Sequence, residues 1–69
     1  HTLGAAGAIE AIAALAAFAR RQLPPCANLD DPDVDLDLVR TARAAEPEHV
    51  MSTGFGFGGH DAALILRRA

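Results

Sequence analysis

The chain has 69 residues, of which 51% are hydrophobic, and it carries a net charge of −3 with neither Trp nor Tyr. This charge and the lack of a basic stripe argue against nucleic acid as the principal partner, and no Cys/His spacing resembles a structural zinc site. A domain this short usually needs a covalent or metal staple, yet the single cysteine, Cys26, has no internal partner.

Much of the apolar content is alanine, which buries little area per residue. We therefore expect the chain to gain stability by packing closely against other parts of a larger protein. The chain begins with His1 and shows no targeting leader, which predicts the end of a longer, cytosolic protein. Cys26 follows two prolines and has neither a helix start nor a basic neighbour to activate its thiol, so it is predicted to be a small packing residue.

The first predicted element is an alanine-rich helix at residues 2–21. Alanine has the highest helix propensity, the run contains no proline, and Pro24 and Pro25 prevent its continuation. Thr2 is placed to cap its start, and the two arginines at its end suit the negative end of the helix dipole. All faces of this helix are apolar or small, which predicts a helix buried inside a larger protein.

Glu10 is the single acidic residue in this helix. For a membrane span the run is slightly short, rich in alanine and glycine, and interrupted by this carboxylate near its middle, so no membrane is expected. An unpaired buried charge is very costly. Glu10 is therefore expected either to pair with a cation outside these residues or to face a polar cavity.

The connection at residues 22–47 is predicted to be irregular. Turn-forming residues are dense at 28–33, which predicts a surface loop. Alternating apolar residues at 34–39 are consistent with a short half-buried strand, and residues 40–45 with one helical turn. The aspartates of this segment lack the glycine and the terminal glutamate of a calcium-binding loop, so a solvated acidic turn is expected.

The last predicted element is a β-hairpin at residues 48–68 with a glycine-rich tip. The apolar runs at 50–53 and 62–66 indicate its strands. The tip at 52–60 contains four glycines, whose backbone can reach positive φ and gather main-chain N–H groups around an anion. The alternative is a tight turn whose two phenylalanines only pack, and the residues by themselves leave both open.

Three motifs follow one another along the chain: residues 1–10 (HTLGAAGAIE), 24–33 (PPCANLDDPD) and 55–59 (FGFGG). Together they resemble the C-terminal end of the β-ketoacyl-acyl-carrier-protein synthases, the condensing enzymes of fatty-acid and polyketide synthesis. The resemblance covers essentially the whole chain. It implies an α/β chain that is the C-terminal piece of a thiolase-like layered fold, with one buried alanine-rich helix, an irregular connection and a β-hairpin.

The resemblance implies catalytic roles for His1 and Phe57. His1 matches a histidine that donates a hydrogen bond to the thioester carbonyl of the malonyl substrate. Phe57 matches a gating phenylalanine whose backbone N–H contributes to an oxyanion hole. Glu10 matches a buried glutamate that supports the site through a lysine and ordered solvent. Three glycines would allow the gating loop to move: Gly56, Gly58 and Gly59.

The resemblance further implies an acyltransferase that performs a decarboxylative Claisen condensation without metal or organic cofactor. Its expected partners are acyl carrier protein, acyl and malonyl thioesters, the rest of the ketosynthase chain and a second copy in a homodimer. The family's nucleophilic cysteine, first catalytic histidine and lysine lie upstream, and Cys26 is not that cysteine. These 69 residues alone are therefore expected to be inactive.

Two other functions remain open from the sequence. One is a non-catalytic subunit, like the chain-length factor of a polyketide synthase heterodimer, which keeps the fold and loses the nucleophile. The other is a small independent helix-plus-hairpin binding module. The tip itself departs from the family pattern, with Thr53-Gly54 in place of Asn-Ser and Asp61 in place of asparagine. His60 stands where the family has threonine or histidine and is predicted to be structural.

Overall fold

The computed structural model describes all 69 residues as one helix followed by two small antiparallel sheets. The mixed α/β class is thus confirmed. In chain order the elements are a 3-10 turn at Leu3–Ala5, α1 at Ala6–Arg20, β1 at Gln22–Leu23, β2 at Arg43–Ala44, β3 at His49–Gly56 and β4 at His60–Arg67. β1 pairs with β2, and β3 pairs with β4.

The start of the helical segment differs from the prediction, because Thr2 makes no side-chain capping hydrogen bond. Its carbonyl instead accepts the N–H of Ala5 at 3.1 Å. The Leu3 N–H donates to Nδ1 of His1 at 2.9 Å. Leu3 has φ 49°, a left-handed conformation that is energetically unfavourable for an L-residue. The backbone N–H of Leu3 makes its hydrogen bond to the imidazole ring in this conformation.

The end of α1 comes before the prolines. Arg21 takes the left-handed conformation, φ 51°, and its N–H donates to the carbonyl of Ala17. This left-handed residue closes the last turn in the way that glycine usually does. The carbonyl of Phe18, which has no partner within the helix, accepts a hydrogen bond from Nη2 of Arg68 at 3.2 Å. Arg20 lies in the last turn, where its charge suits the helix dipole as predicted.

Within these residues α1 is mostly exposed, so its predicted burial inside a larger protein stays a prediction. The helix packs against β3 and β1, and only Ala14 and Ala17 are buried. The remaining faces of the helix are left open to solvent. Three large aliphatic side chains of the helix are exposed: Ile9, Ile12 and Leu15.

The segment Leu3–Arg20 is also long and apolar enough to cross a membrane, with a mean hydropathy of 1.5 over its 18 residues. Core helices of soluble proteins share this length and apolar composition. Glu10 near the middle of the segment disfavours a bilayer position.

The connection forms neither the strand expected at 34–39 nor the helical turn expected at 40–45. A strand needs a neighbour to complete its hydrogen bonds, and only Val39 finds one, through the N–H of Cys26 at 2.8 Å. Residues 43–44 pair instead with β1. Cys26 is exposed, so the packing role predicted for it is not seen within this chain.

The hairpin has longer strands and a shorter tip than the sequence predicts. β3 and β4 pair from His49↔Arg67 to Gly56↔His60, and only residues 57–59 form the turn. Glycine has no side chain to contribute to a sheet, but its backbone N–H and C=O pair like those of any other residue. Most of the glycine-rich stretch is therefore strand.

We expect the isolated 69-residue chain to show no cooperative thermal unfolding. Ordering a residue costs about 1–2 kcal/mol of backbone entropy, and burial of Ala14 and Ala17 alone offsets little of that cost. Far-UV circular dichroism and calorimetry on the isolated chain measure this directly. A single sharp transition of a monomer would contradict the expectation and would favour a small independent binding module.

Candidate functional site

A cleft of about 650 Å³ lies between the start of the helical segment and the tip of the hairpin. Its walls contain both residues predicted to be catalytic, one from each end of the chain. The lining residues are His1, Leu3, Gly4, Phe55, Gly56 and Phe57. Apart from the imidazole of His1, these residues present backbone groups and apolar side chains, and none of them carries a nucleophilic oxygen or sulfur.

Two polar contacts join α1 to the hairpin and set their relative direction. Oγ of Ser52 donates to Oε2 of Glu10 at 3.4 Å. Further along the helix, Arg68 donates through Nη2 to the Phe18 carbonyl at 3.2 Å and through its own N–H to the carbonyl of Glu48 at 3.0 Å. Helix numbers rise from one contact to the next while β3 numbers fall. α1 and β3 therefore run antiparallel.

The two contacts are separated by similar distances along α1 and along the strand. Glu10 and Phe18 are eight helical positions apart, a rise of about 12 Å. Ser52 and Glu48 are four strand positions apart, a rise of about 14 Å. The two elements thus advance by similar lengths between their two points of contact.

Both elements continue toward the cleft. From Glu10 back to His1 is nine positions, of which α1 supplies four, a rise of about 6 Å, and the 3-10 turn and the two residues before it supply the other five. From Ser52 forward to Phe57 is five positions, about 17 Å at an extended rise. Beyond the contact of Glu10 with Ser52, both segments extend to the same cleft, which His1 and Phe57 line together.

The imidazole of His1 is held in one orientation by the backbone. Its Nδ1 accepts the N–H of Leu3 at 2.9 Å. A ring nitrogen that accepts a hydrogen bond carries no proton, so the neutral ring holds its proton at Nε2. The ring therefore offers a single N–H donor at Nε2, and the contact with Leu3 leaves that donor free.

The hairpin tip presents both of its phenylalanines to solvent. Phe55 is 79% exposed and Phe57 is 92% exposed. Gly58 and Gly59 follow with φ of 81° and 79°, values that an L-residue adopts only with strain. The turn therefore requires glycine at these two positions.

Gly56 serves a different purpose from the two turn glycines, because its φ is not positive. A Cβ on Gly56 would lie 3.4 Å from Cβ of His60, its partner across the hairpin. The His60 ring lies beside Gly58, 3.7 Å from where a Cβ of that residue would be. His60 thus packs on the turn and does not line the cleft.

Glu10 neither lies buried nor meets a cation within this chain. Its side chain is exposed, it forms no salt bridge, and its partner is the hydroxyl of Ser52. Sequence reasoning missed Ser52, although strand alternation offers a signal. Val50 and Ser52 are the two half-buried residues of β3, so Ser52 is the polar member of the helix-facing row.

Two further predicted features lie away from the cleft. Cys26 is exposed and does not line it. The acidic residues of the connection form no cluster suited to hold a metal ion. One of them, Asp37, makes a two-point contact with Arg43, with N–O distances of 3.0 and 3.4 Å.

Comparison with known proteins identifies related sequences. The family model described as "Beta-ketoacyl synthase, C-terminal domain" matches residues 1–30. The chain is 52% identical over 69 residues to a protein named as a polyketide beta-ketoacyl synthase 1 in Streptomyces cyaneus, with 96% of the chain covered. It is 51% identical over 71 residues to a 3-oxoacyl-[acyl-carrier-protein] synthase 2 of Rhizobium meliloti, and 42% identical to that of Vibrio harveyi, each with 99% of the chain covered.

The chain spans about one sixth of the length of these relatives, 16% of the first and 17% of the other two. The similarity runs across the helix, the connection and the hairpin. No solved structure matches.

Proposed function

We propose that this chain, which belongs to the β-ketoacyl synthase family, is the C-terminal part of an acyltransferase. The enzyme joins an acyl thioester to malonyl-acyl-carrier-protein by decarboxylative Claisen condensation, in fatty-acid or polyketide synthesis. A cysteine upstream of this chain accepts the acyl group. The observation that carries the proposal is the shared cleft, which is lined both by the imidazole-bearing His1 and by the tip of a glycine-rich hairpin.

In this proposal His1 acts on the malonyl thioester. Loss of CO₂ leaves an enolate, whose oxygen carries the developing negative charge. A donor that is already aimed at this oxygen stabilises the transition state, and one such donor is worth about 3–4 kcal/mol. The contact between Nδ1 and the Leu3 N–H supports the assignment, because it directs the proton to Nε2 and orients the ring before substrate arrives.

Phe57 acts on the acyl thioester. Its backbone N–H stabilises the oxyanion that forms when the acyl carbonyl is attacked, and its ring moves as the acyl chain enters. Two features support this role: the ring is 92% exposed, and the strain-free turn depends on Gly58 and Gly59. Gly56 completes the gating loop on the other side of the ring.

Glu10 supports this arrangement without touching the reacting atoms. Its hydrogen bond with Ser52 links the middle of α1 to β3. The remaining carboxylate oxygen is available to a lysine or to ordered solvent from the rest of the protein.

The exposed apolar surface fits a piece of a thiolase-like layered fold. Besides the aliphatic face of α1, the hairpin exposes Met51, Leu64 and Ile65. The rest of the ketosynthase chain covers these side chains, so the helix that resembles a membrane span is an interior helix of a cytoplasmic enzyme. The enzyme is a homodimer that takes acyl groups from acyl carrier protein and needs no metal or organic cofactor, because decarboxylation itself supplies the carbanion.

The full-length protein tests this function. We expect it to convert acyl and malonyl carrier proteins to β-ketoacyl carrier protein and CO₂ in equal amounts, measured by mass spectrometry and by release of labelled CO₂. A full-length protein that lacks this activity and instead activates a second ketosynthase on binding would contradict the proposal. That result would indicate the non-catalytic subunit.

A further inference from the structure

We propose that Arg68 is a positioning residue, which keeps the helix that carries His1 in register with the hairpin that carries Phe57. The proposal rests on the function proposed above. Arg68 touches neither the cleft nor any residue that lines it. It acts at the opposite end of α1, where it is one of the two polar ties between helix and hairpin.

The hydrogen bond from Arg68 satisfies a carbonyl that has no partner within the helix. The last four carbonyl groups of a helix accept no hydrogen bond from the helix itself. The Arg21 N–H takes the carbonyl of Ala17, and Arg68 takes that of Phe18. This hydrogen bond is part-buried, and the guanidinium lies at the negative end of the helix dipole, which strengthens the contact.

The other polar contact, between Ser52 and Glu10, is too weak to fix the position of the hairpin along the helix by itself. Ser52 and Glu10 meet at 3.4 Å, near the long limit for a hydrogen bond, and the contact is exposed. With this one weak polar contact beside the packing of α1 on β3, the hairpin keeps some freedom to pivot against the helix. The second contact, at Arg68, removes that freedom.

Because of the length of the hairpin, a shift at Arg68 also moves the hairpin tip at the cleft. Ser52 lies about 14 Å along the strand from Glu48, whose carbonyl accepts the Arg68 N–H, and about 17 Å from Phe57. The two arms are nearly equal, so a shift at the Arg68 end produces a shift of similar size at the cleft. A misplacement of about 1 Å is enough to lower a reaction rate by up to about 100-fold.

The expected defect is uncoupling of the two halves of the reaction. Condensation requires the enolate and the acyl carbonyl to be aligned, whereas decarboxylation requires only the enolate donor. When alignment is lost, solvent protonates the carbanion, so that malonyl thioester and one proton give acetyl thioester and CO₂. The ratio of CO₂ released to β-ketoacyl product then rises above one.

The test compares Arg68→Met with Arg67→Met in the full-length enzyme. Arg67 is the neighbouring arginine, is exposed, and its side chain makes no hydrogen bond or ion pair, so it controls for the loss of charge. We expect Arg68→Met to lower condensation about 3- to 10-fold and to raise the ratio of CO₂ to product to about two or more. Arg67→Met keeps the ratio at one.

Arg68→Lys serves as the second variant and keeps the measurement possible if Arg68→Met does not fold. Lysine retains the charge and the ability to donate a hydrogen bond but lacks the planar fork. We therefore expect its ratio of CO₂ to product to be above one and below that of Arg68→Met. A ratio of one in every folded Arg68 variant overturns the inference, even if all rates fall together, because an equal fall shows that the two halves of the reaction stay coupled. A parent enzyme that forms no condensation product overturns the proposed function and this inference with it.

Discussion

Substitution of His1 by alanine is expected to lower condensation by the full-length protein about 10²- to 10³-fold. The reason is the loss of the Nε2–H donor, which the contact between Nδ1 and the Leu3 N–H leaves free on a residue that lines the cleft. His1→Gln should retain part of the activity, because its side-chain amide places a donor close to the position of Nε2. The measurement is the initial rate of β-ketoacyl product with malonyl carrier protein at saturation.

His49→Ala is the matched control for this substitution. His49 is exposed and lies at the far end of β3, where it pairs with Arg67 away from the cleft. Its removal should leave the rate within about twofold of the parent enzyme, as for most surface substitutions. If His1→Ala condensed malonyl and acyl groups as fast as His49→Ala, His1 would have no part in the chemistry.

The second large effect is expected at Gly58. An alanine there would have to adopt φ near 81°, at a cost of about 1–2 kcal/mol. Steric contact is not the cause, since the added Cβ would meet the His60 ring at an ordinary 3.7 Å. The turn relieves the strain by changing shape, which displaces the Phe57 N–H. We expect acyl transfer to the enzyme to slow about tenfold, the equivalent of about 1.4 kcal/mol.

Gly54→Ala provides the comparison for Gly58→Ala. Gly54 does not have positive φ, and a Cβ there meets no atom within 4 Å. The rate of enzyme acylation, followed by rapid quench and mass spectrometry, should be slowed in Gly58→Ala and unchanged in Gly54→Ala. Equal acylation rates in both variants would show that the conformation of Gly58 does not control the position of the Phe57 amide.

Several local features could be predicted because their causes lie within a few residues. The alanine-rich run forms a helix through intrinsic propensity. The apolar runs on either side of the glycines pair as a hairpin because a short turn keeps them close. The resemblance to β-ketoacyl synthases rested on motifs at residues 1–10, 24–33 and 55–59, and the comparisons support that family.

Other features could not be predicted, because alternative local conformations of the same residues have similar free energies. Thr2 is a good capping residue, but the left-handed conformation of Leu3 gives the first free amide to His1 instead. Residues 34–39 alternate as a strand does, yet an alternating pattern forms a strand only where a neighbouring strand is present, and here β1 pairs with residues 43–44.

The sequence by itself determined that this chain has a helix, a hairpin and a turn that only glycine satisfies, because propensity and φ preference act locally. Only the tertiary structure decided that His1 and Phe57 line one cleft. That meeting depends on the length of chain from Glu10 back to His1, on the rise of β3 from Ser52 to its tip, and on the contact between Glu10 and Ser52. Such a meeting belongs to no single segment, so it emerges only when helix and strand are packed together.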